Sequence, residues 1–519
     1  MSPRVAAAWA LLPEYLGSHV LLSAAALGLG LMIAGALALA ARRSRAARAV
    51  ALAAAGVVQT IPSLALLALF FPLLLALSAV FERVAGAGFS ALGFLPSLCA
   101  LTLYAVLPIL RNAVVGLEEV DPAVLEAART LGASRAQTAL RVEAPLAAPV
   151  VMAGVRTAAV LVVGTATLAT PVGQASLGNY IFTGLQTENW VDVLFGCVAA
   201  SALALVVDGL LALVEAGARR GDGRRVLAGV AGLLLGTAAA AAPLVAGAGG
   251  STAYVVGAKN FSEQFILAEL MGGRLQAAGA TVERRDGLGS AVAFRALAGN
   301  ELDVYVDYSG TLWTTVLGRT DTPPRAQLNA ELARDLRAKH GVRVLGPLGF
   351  ENAYALAMKR AEAERLGVKS LADLARVAPG LTIGGDIEFF SRSEWAAVER
   401  AYGLRFRARR TYQPTFMYRA LASGDVDVIS AFSSDGRIAA DDLVLLADPK
   451  GAIPPYDALI LLSPARANDR RLAGALSPMV GGLSIGAMQR ANYAVDGEGK
   501  TPAEAARALA GAAQSSGTP

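Results

Sequence analysis

The chain has 519 residues, of which 55% are hydrophobic and only 17% charged, with a mean hydropathy of +0.50 and a formal net charge of +5. Such hydropathy excludes an ordinary wholly soluble protein, and the length admits roughly two to four domains. Two cysteines and two histidines leave no ligand set for a zinc centre, and no other metal or cofactor site is expected.

Up to about residue 250 the sequence is built from Ala, Leu, Val and Gly and contains no lysine, the first being Lys259. A membrane helix needs about 20 apolar residues. Runs near 18–41, 50–76, 91–110, 147–170, 191–215 and 227–247 qualify, which predicts six spans. Arginines orient them. Arg42, Arg43, Arg45 and Arg48 follow the first run, Arg111, Arg129, Arg135 and Arg141 the third, and Arg219, Arg220, Arg224 and Arg225 the fifth. Under the positive-inside rule these three loops face the cytoplasm, so the N-terminus and everything after the sixth run lie outside. The same rule accounts for the positive charge, so no nucleic-acid partner is expected. A cleaved leader is not expected either, because the arginine cluster follows the long apolar run instead of preceding it. Cys99 and Cys197 both fall in apolar runs and read as buried fillers.

Two polar or helix-breaking residues stand out in these runs. Pro62 either kinks a helix near a transport path or starts one at the membrane surface. Asp208 lies within the fifth run, where a charge is costly. It lines a polar path, pairs internally, or sits near a helix end.

Between the third and fourth spans, about 111–147, the chain is too polar to span and strongly helix-forming. Asp121 reads as an N-cap and Pro122 as the first helical residue. Gly132 then breaks the helix, predicting helix, turn, helix on the cytoplasmic face. The stretch EAARTLGASRAQTALRVEAPLA resembles the coupling motif of importer-type ABC permeases, carried here by Glu126, Ala127, Ala128, Gly132 and Pro145. The resemblance implies that this loop docks on an ATPase subunit. No phosphate-binding GxxxxGK[ST] loop is present, so the ATPase is expected to be a separate chain.

From residue 251 short strands alternate with helices. YVVGAK, TVERRD, ELDVYVDY, LTIGGD, DVDVIS and ALILL read as strands; SEQFILAELMGGRLQAAG and SRSEWAAVERAYG read as helices. This is an open α/β pattern, long enough for two lobes. The expected fold class is therefore an all-α six-span membrane domain, 1–250, fused to a two-lobed α/β domain, 251–519. In open α/β sheets ligands sit at strand ends, which draws attention to Tyr308, Tyr354, Phe432 and Tyr456. Any one of them read alone fits a core or hinge position. Together they suit a quaternary ammonium, which donates no hydrogen bond and is recognised through ring faces.

VGAKNFSEQFILAELMGGRL and LDVYVDYSGT resemble the substrate-binding domain of osmoprotectant importers for glycine betaine, choline, carnitine and related compounds. With the permease part in front, the resemblance covers essentially the whole chain. It implies a type II periplasmic-binding-protein fold, with lobe I at about 254–355 and 455–510 and lobe II at about 356–454. It further implies a homodimeric permease in a bacterial plasma membrane with the binding domain outside. On the matching positions it implies an aromatic cage of Tyr308, Tyr354 and Tyr456, with Phe432 where the family has a fourth tyrosine. Carboxylate contacts would fall to Lys259, Thr311 and Arg392, with Glu388 orienting Arg392 or touching the solute. Arg392 read alone is an ordinary surface arginine. Lys259 and Arg392 together lean toward a zwitterion. Which betaine is carried stays open, the histidine betaine ergothioneine included. A tethered sensor that does not transport is the second reading, and the coupling motif speaks against it. A membrane enzyme finds no nucleophile–histidine arrangement to support it.

Overall fold

The computed structural model describes residues 3–42, 44–86, 88–187, 189–247, 253–412 and 414–515; Arg43 lies outside them. The chain divides into two compact units, Met1–Phe182 with Val191–Gly250, and Thr183–Trp190 with Ser251–Pro519.

The first unit is helical: α1 Pro3–Ala41, α2 Arg45–Thr60, α3 Ser63–Ala85, α4 Phe94–Glu118, α5 Pro122–Thr130, α6 Arg135–Thr138, α7 Ala144–Ala166, α8 Gly178–Gln186, α9 Trp190–Arg220 and α10 Gly223–Gly247. Among the described residues six helical stretches are long and apolar enough to cross a membrane: Arg4–Ala41, Ser63–Ala85, Phe94–Glu118, Arg135–Val172, Trp190–Arg220 and Gly223–Ala242. The second expected span, 50–76, needs correction. Proline has no N–H to donate and pushes the residue before it out of the helical region. Ile61 is accordingly extended (φ −73°, ψ 127°), α2 ends before it, and Pro62 caps the start of α3. Pro62 thus starts a helix and kinks none.

Helix α4 lies at the centre of this unit, packed on α1, α3 and α7 around Leu101, Ala105, Ile109, Leu110, Ala158 and Val162. Small residues let the backbones approach. A Cβ on Gly154 of α7 would lie 2.6 Å from the Asn112 Cβ and 2.7 Å from the Pro108 carbonyl oxygen. Fully buried His19 joins α1 to the same layer: its Nε2 lies 3.0 Å from the Val163 carbonyl and its Nδ1 accepts from Leu177 N–H at 3.3 Å.

The segment after α4 folds as its caps dictate. The Asp121 side chain accepts from Ala123 N–H at 2.8 Å, Pro122 opens α5, and Gly132 turns the chain with φ +87°. Ser134 and Gln137 then form a reciprocal capping box at the start of α6. The helix runs on through a wide turn at Ala139–Glu143 into α7, with Pro145 in its first turn. No residue of α5 is buried, and Leu131 and Leu140 are 88% and 73% exposed.

The second unit holds two five-stranded sheets. The strands are β1 Tyr254–Lys259, β2 Val282–Leu288, β3 Val304–Tyr308, β4 Arg343–Glu351, β5 Tyr354–Lys359, β6 Thr382–Gly385, β7 Ala408–Thr411, β8 Val428–Phe432, β9 Leu443–Leu445 and β10 Asp457–Leu462. One sheet runs β2–β1–β3–β10–β4 and the other β7–β6–β8–β5–β9. In each, three parallel strands are joined by an antiparallel fourth, β10 or β5, that enters directly from the crossing between sheets. This is the two-lobed mixed α/β arrangement of type II binding proteins. Helix α11, Ser262–Ala277, is the buried helix of the first lobe.

Valine at Gly154 overpacks the α4–α7 contact and should cost about 1–3 kcal/mol. Gly164, on the same helix with open space around its Cβ position, should accept valine. Thermal unfolding of the purified membrane protein should fall for Gly154→Val and stay near wild type for Gly164→Val.

Candidate functional site

Strand register gathers ring residues where the two sheets meet. Tyr354 opens β5 directly opposite Phe432 at the end of β8, with ring centres 5.0 Å apart. Tyr456 immediately precedes β10 and meets the Tyr354 ring edge to face at 5.7 Å. Phe389, which the strand-end argument passed over, completes the cluster at 5.1 Å from Tyr354. Tyr308 ends β3 opposite Ala458 and stacks on Phe261 at 6.1 Å. The short turn Ser309–Thr311 follows, with Thr311 buried. Its glycine is required: a Cβ on Gly310 would lie 2.4 Å from the Tyr456 ring.

Arg392 is extended (φ −81°, ψ 155°) between the helices Ile387–Ser391 and Ser393–Tyr402, so the helix expected from Ser391 begins at Ser393 with Arg392 at its N-cap. That break places its guanidinium 5.4 Å from the Tyr354 ring centre, where cation and ring face attract. Its Nη1 donates to Thr315 Oγ1 at 3.4 Å and lies 3.6 Å from Glu394 Oε1. Glu394 was not anticipated. Buried near the start of the helix Ser393–Tyr402, it accepts from Thr314 Oγ1 at 3.0 Å and from the Tyr456 hydroxyl, residues that flank β3 and β10 of the other sheet. The only hint in the sequence is its place two residues after Arg392. The Glu388 side chain lies outside the described residues.

Lys259, at the end of β1, is fully buried and ion-paired with equally buried Asp307. Asp307 also accepts from Tyr308 N–H at 2.7 Å. Lys259 therefore enters the site as half of a neutral pair, with its Nζ 5.3 Å from the Tyr308 ring centre. Behind Tyr308 lies Glu263 of α11, another residue the sequence did not single out. Its Oε1 accepts from the Tyr308 hydroxyl at 2.6 Å and from Asn352 Nδ2 at 3.1 Å. Its Oε2 accepts from Asn492 Nδ2 at 3.0 Å, and that same amide donates to the Ser434 carbonyl at 2.9 Å. Burial pushes the Glu263 carboxyl above the usual carboxylate range. Burial, and then the neighbouring Glu394, push the Tyr456 hydroxyl well above the ordinary phenol range.

A unit of membrane-length apolar helices joined to a two-lobed α/β unit, with an aromatic cluster beside an arginine, fits a solute-importer subunit. Comparison with known proteins specifies the kind. Residues 26–220 match the binding-protein-dependent transport system inner membrane component, and residues 253–510 match the substrate-binding domain of the ABC-type glycine betaine transport system. The chain is 29% identical over 418 residues to an ergothioneine transport permease/ergothioneine binding protein of Helicobacter pylori, covering 78% of this chain and 72% of that one. It is 37% identical over 197 residues to a choline transport system permease of Bacillus subtilis, covering 38% of this chain and 83% of that one. A glycine-betaine-binding protein of Pseudomonas aeruginosa is 31% identical over 264 residues, covering 48% of this chain and 85% of that one. The chain belongs to the osmoprotectant-type ABC importers, as a fused permease and substrate-binding subunit. It is a transporter component of the bacterial inner membrane with its binding domain on the extracytoplasmic side, and its family works with a cognate ATPase.

A carboxyl whose folded value lies above its unfolded one stabilises the fold while protonated, and that contribution is lost as pH rises through the folded value. Raising the pH from about 5 to about 8 should therefore lower the melting temperature of the binding unit more in wild type than in Glu263→Gln, which cannot ionise. Parallel pH slopes for the two proteins would remove Glu263 as the source.

Proposed function

We propose that the chain captures a quaternary-ammonium zwitterion of the glycine betaine or carnitine type and passes it through its membrane unit at the expense of ATP hydrolysed by a separate subunit. The observation that carries this reading is the Tyr354 cluster, in which Phe432, Tyr456 and Phe389 surround one ring with the Arg392 guanidinium beside it. Ring faces suit the methylated cation, and Arg392 suits the carboxylate. Tyr308, Thr311 and the Lys259–Asp307 pair line the first-lobe wall, with Glu388 assigned to the second. The binding part divides into lobe I, about 254–355 and 455–510, and lobe II, about 356–454, after a permease part of 1–250. A second reading, ergothioneine itself, is favoured by the Helicobacter pylori relative, whose alignment runs through both parts of this chain.

A calorimetric panel of glycine betaine, carnitine, choline and ergothioneine on the purified chain separates these readings. Tyr354→Ala should weaken the preferred solute about 30-fold, since a desolvated cation–π contact is worth about 2 kcal/mol. Arg392→Gln should harm glycine betaine more than choline, which has no carboxylate. Equal losses for the two would exclude Arg392 as the carboxylate clamp.

The helix pair bearing Glu126, Ala127, Ala128 and Gly132, with Pro145 behind it, is assigned to the ATPase contact, supported by its exposed apolar tip at Leu131. Two copies of the chain would match the two halves of an ATPase dimer. Deleting Glu126–Ala136 should abolish co-purification of the ATPase and ATP-driven uptake while leaving solute affinity within about twofold, a change of under 0.5 kcal/mol. Uptake persisting after the deletion would disprove the coupling role.

A further inference from the structure

Asp208 has a partner that neither the motif nor the binding site uses. Arg156 of α7 reaches across to α9: its Nε and Nη2 donate to the two carboxylate oxygens of Asp208, each at 2.8 Å, and its Nη1 donates to Glu215 Oε2 at 2.8 Å. Glu215, two helical turns beyond Asp208, also pairs with Arg219 at 2.6 Å. One planar guanidinium thus holds two successive positions of α9, a geometry that lysine's point charge cannot copy. At a rise of about 1.5 Å per residue, Arg156 stands about 18 Å along α7 from Ala144, well inside the apolar span. Glu143, immediately before α7, is buried and accepts from Arg42 at the end of α1 at 2.7 Å. The helix that continues out of the coupling segment is therefore tied by ions to α1 at its base and to α9 at mid-span.

We propose that Arg156 is a positioning residue for transport: through Asp208 and Glu215 it makes α9 move as one body with α7 when the coupling segment is displaced. Separating the groups would strand bare charges in hydrocarbon, where they are costly, so the pair stays closed through the cycle and the helices travel together. Arg156 and Arg219 against Asp208 and Glu215 leave the cluster neutral, which suits a helix contact better than a solute path. This assignment rests on the transport reading above.

The test uses the full chain assembled with its ATPase in lipid vesicles. Arg156→Gln should assemble, bind solute and hydrolyse ATP like wild type, while solute moved per ATP falls about tenfold. The charge swap Arg156→Asp with Asp208→Arg should recover most of that ratio, and Arg156→Lys should fall between. Unchanged solute per ATP in Arg156→Gln, or uptake and hydrolysis declining in proportion, overturns the proposal. Failure of Arg156→Gln, Arg156→Lys and Asp208→Asn alike to reach the membrane assigns the cluster to folding and also overturns it. Spin labels at Val160→Cys and Leu205→Cys, both exposed on α7 and α9, give a readout that needs no solute, with Cys99 and Cys197 replaced by serine. Their separation should be the same with and without ATP in wild type and diverge in Arg156→Gln; a wild-type change equal to that of the variant refutes the tie. If wild type carries none of the panel solutes, the transport reading fails, while the label distances still decide the tie.

Discussion

A charge taken out of water must meet an opposite charge or several hydrogen-bond donors, because an ion left alone in a low-dielectric interior costs several kcal/mol. This chain buries ions in both of its units and answers the cost in the same way each time. In the membrane unit Arg156 closes on Asp208 and Glu215, and buried Glu143 is met by the more exposed Arg42. In the binding unit Lys259 closes on Asp307, while Glu394 is met by Arg392, Thr314 and Tyr456. Each pairing joins separate elements, so each also fixes a distance between them. Paired charge is therefore what sets the geometry in which the rings and helices work.

Six strands of the binding unit, β1, β2, β3, β6, β8 and β10, were legible in the sequence, five as apolar runs and β2 as a short valine-led charged stretch, and the helix–turn–helix after α4 was legible in its Asp121 cap and Gly132 turn. The missed strands have physical reasons. YALAMK is rich in helix formers and becomes β5 because β8 and β9 pair with it on both sides. RVLGPLGFE carries Pro347 and two glycines with positive φ, Gly346 and Gly349, which suits the edge strand it forms. ARRT is fully exposed and is held as β7 by pairing with β6 alone. For the ring cluster, strand ends pointed to Tyr354, Phe432 and Tyr456, which the fold packs together. They could not find Glu394, since the hydroxyl that defines it lies 62 residues further along the chain. Arg156 was equally silent: a lone arginine in an apolar run declares itself only when the fold brings Asp208, 52 residues away, into reach.

The hydroxyls in the cleft bear on what Phe432 does. The Tyr456 hydroxyl is committed to Glu394, and the Tyr308 hydroxyl to Glu263 and Gln264. The polar ends of both buried rings are thus spent on holding the protein together, and the proposed solute would have only ring surface to meet. Phe432 likewise supplies a ring, packed 5.0 Å from Tyr354, so the proposed cage would need no hydroxyl at that position. Lys259 is neutralised by Asp307, and Arg392 is shared between the Tyr354 ring and Glu394. On the proposed function a solute carboxylate would compete with Glu394 for the guanidinium, and that competition would separate a zwitterion from a plain cation. On the proposed function, discrimination falls to the Arg392–Glu394 pair, and the rings would supply affinity common to every methylated ammonium.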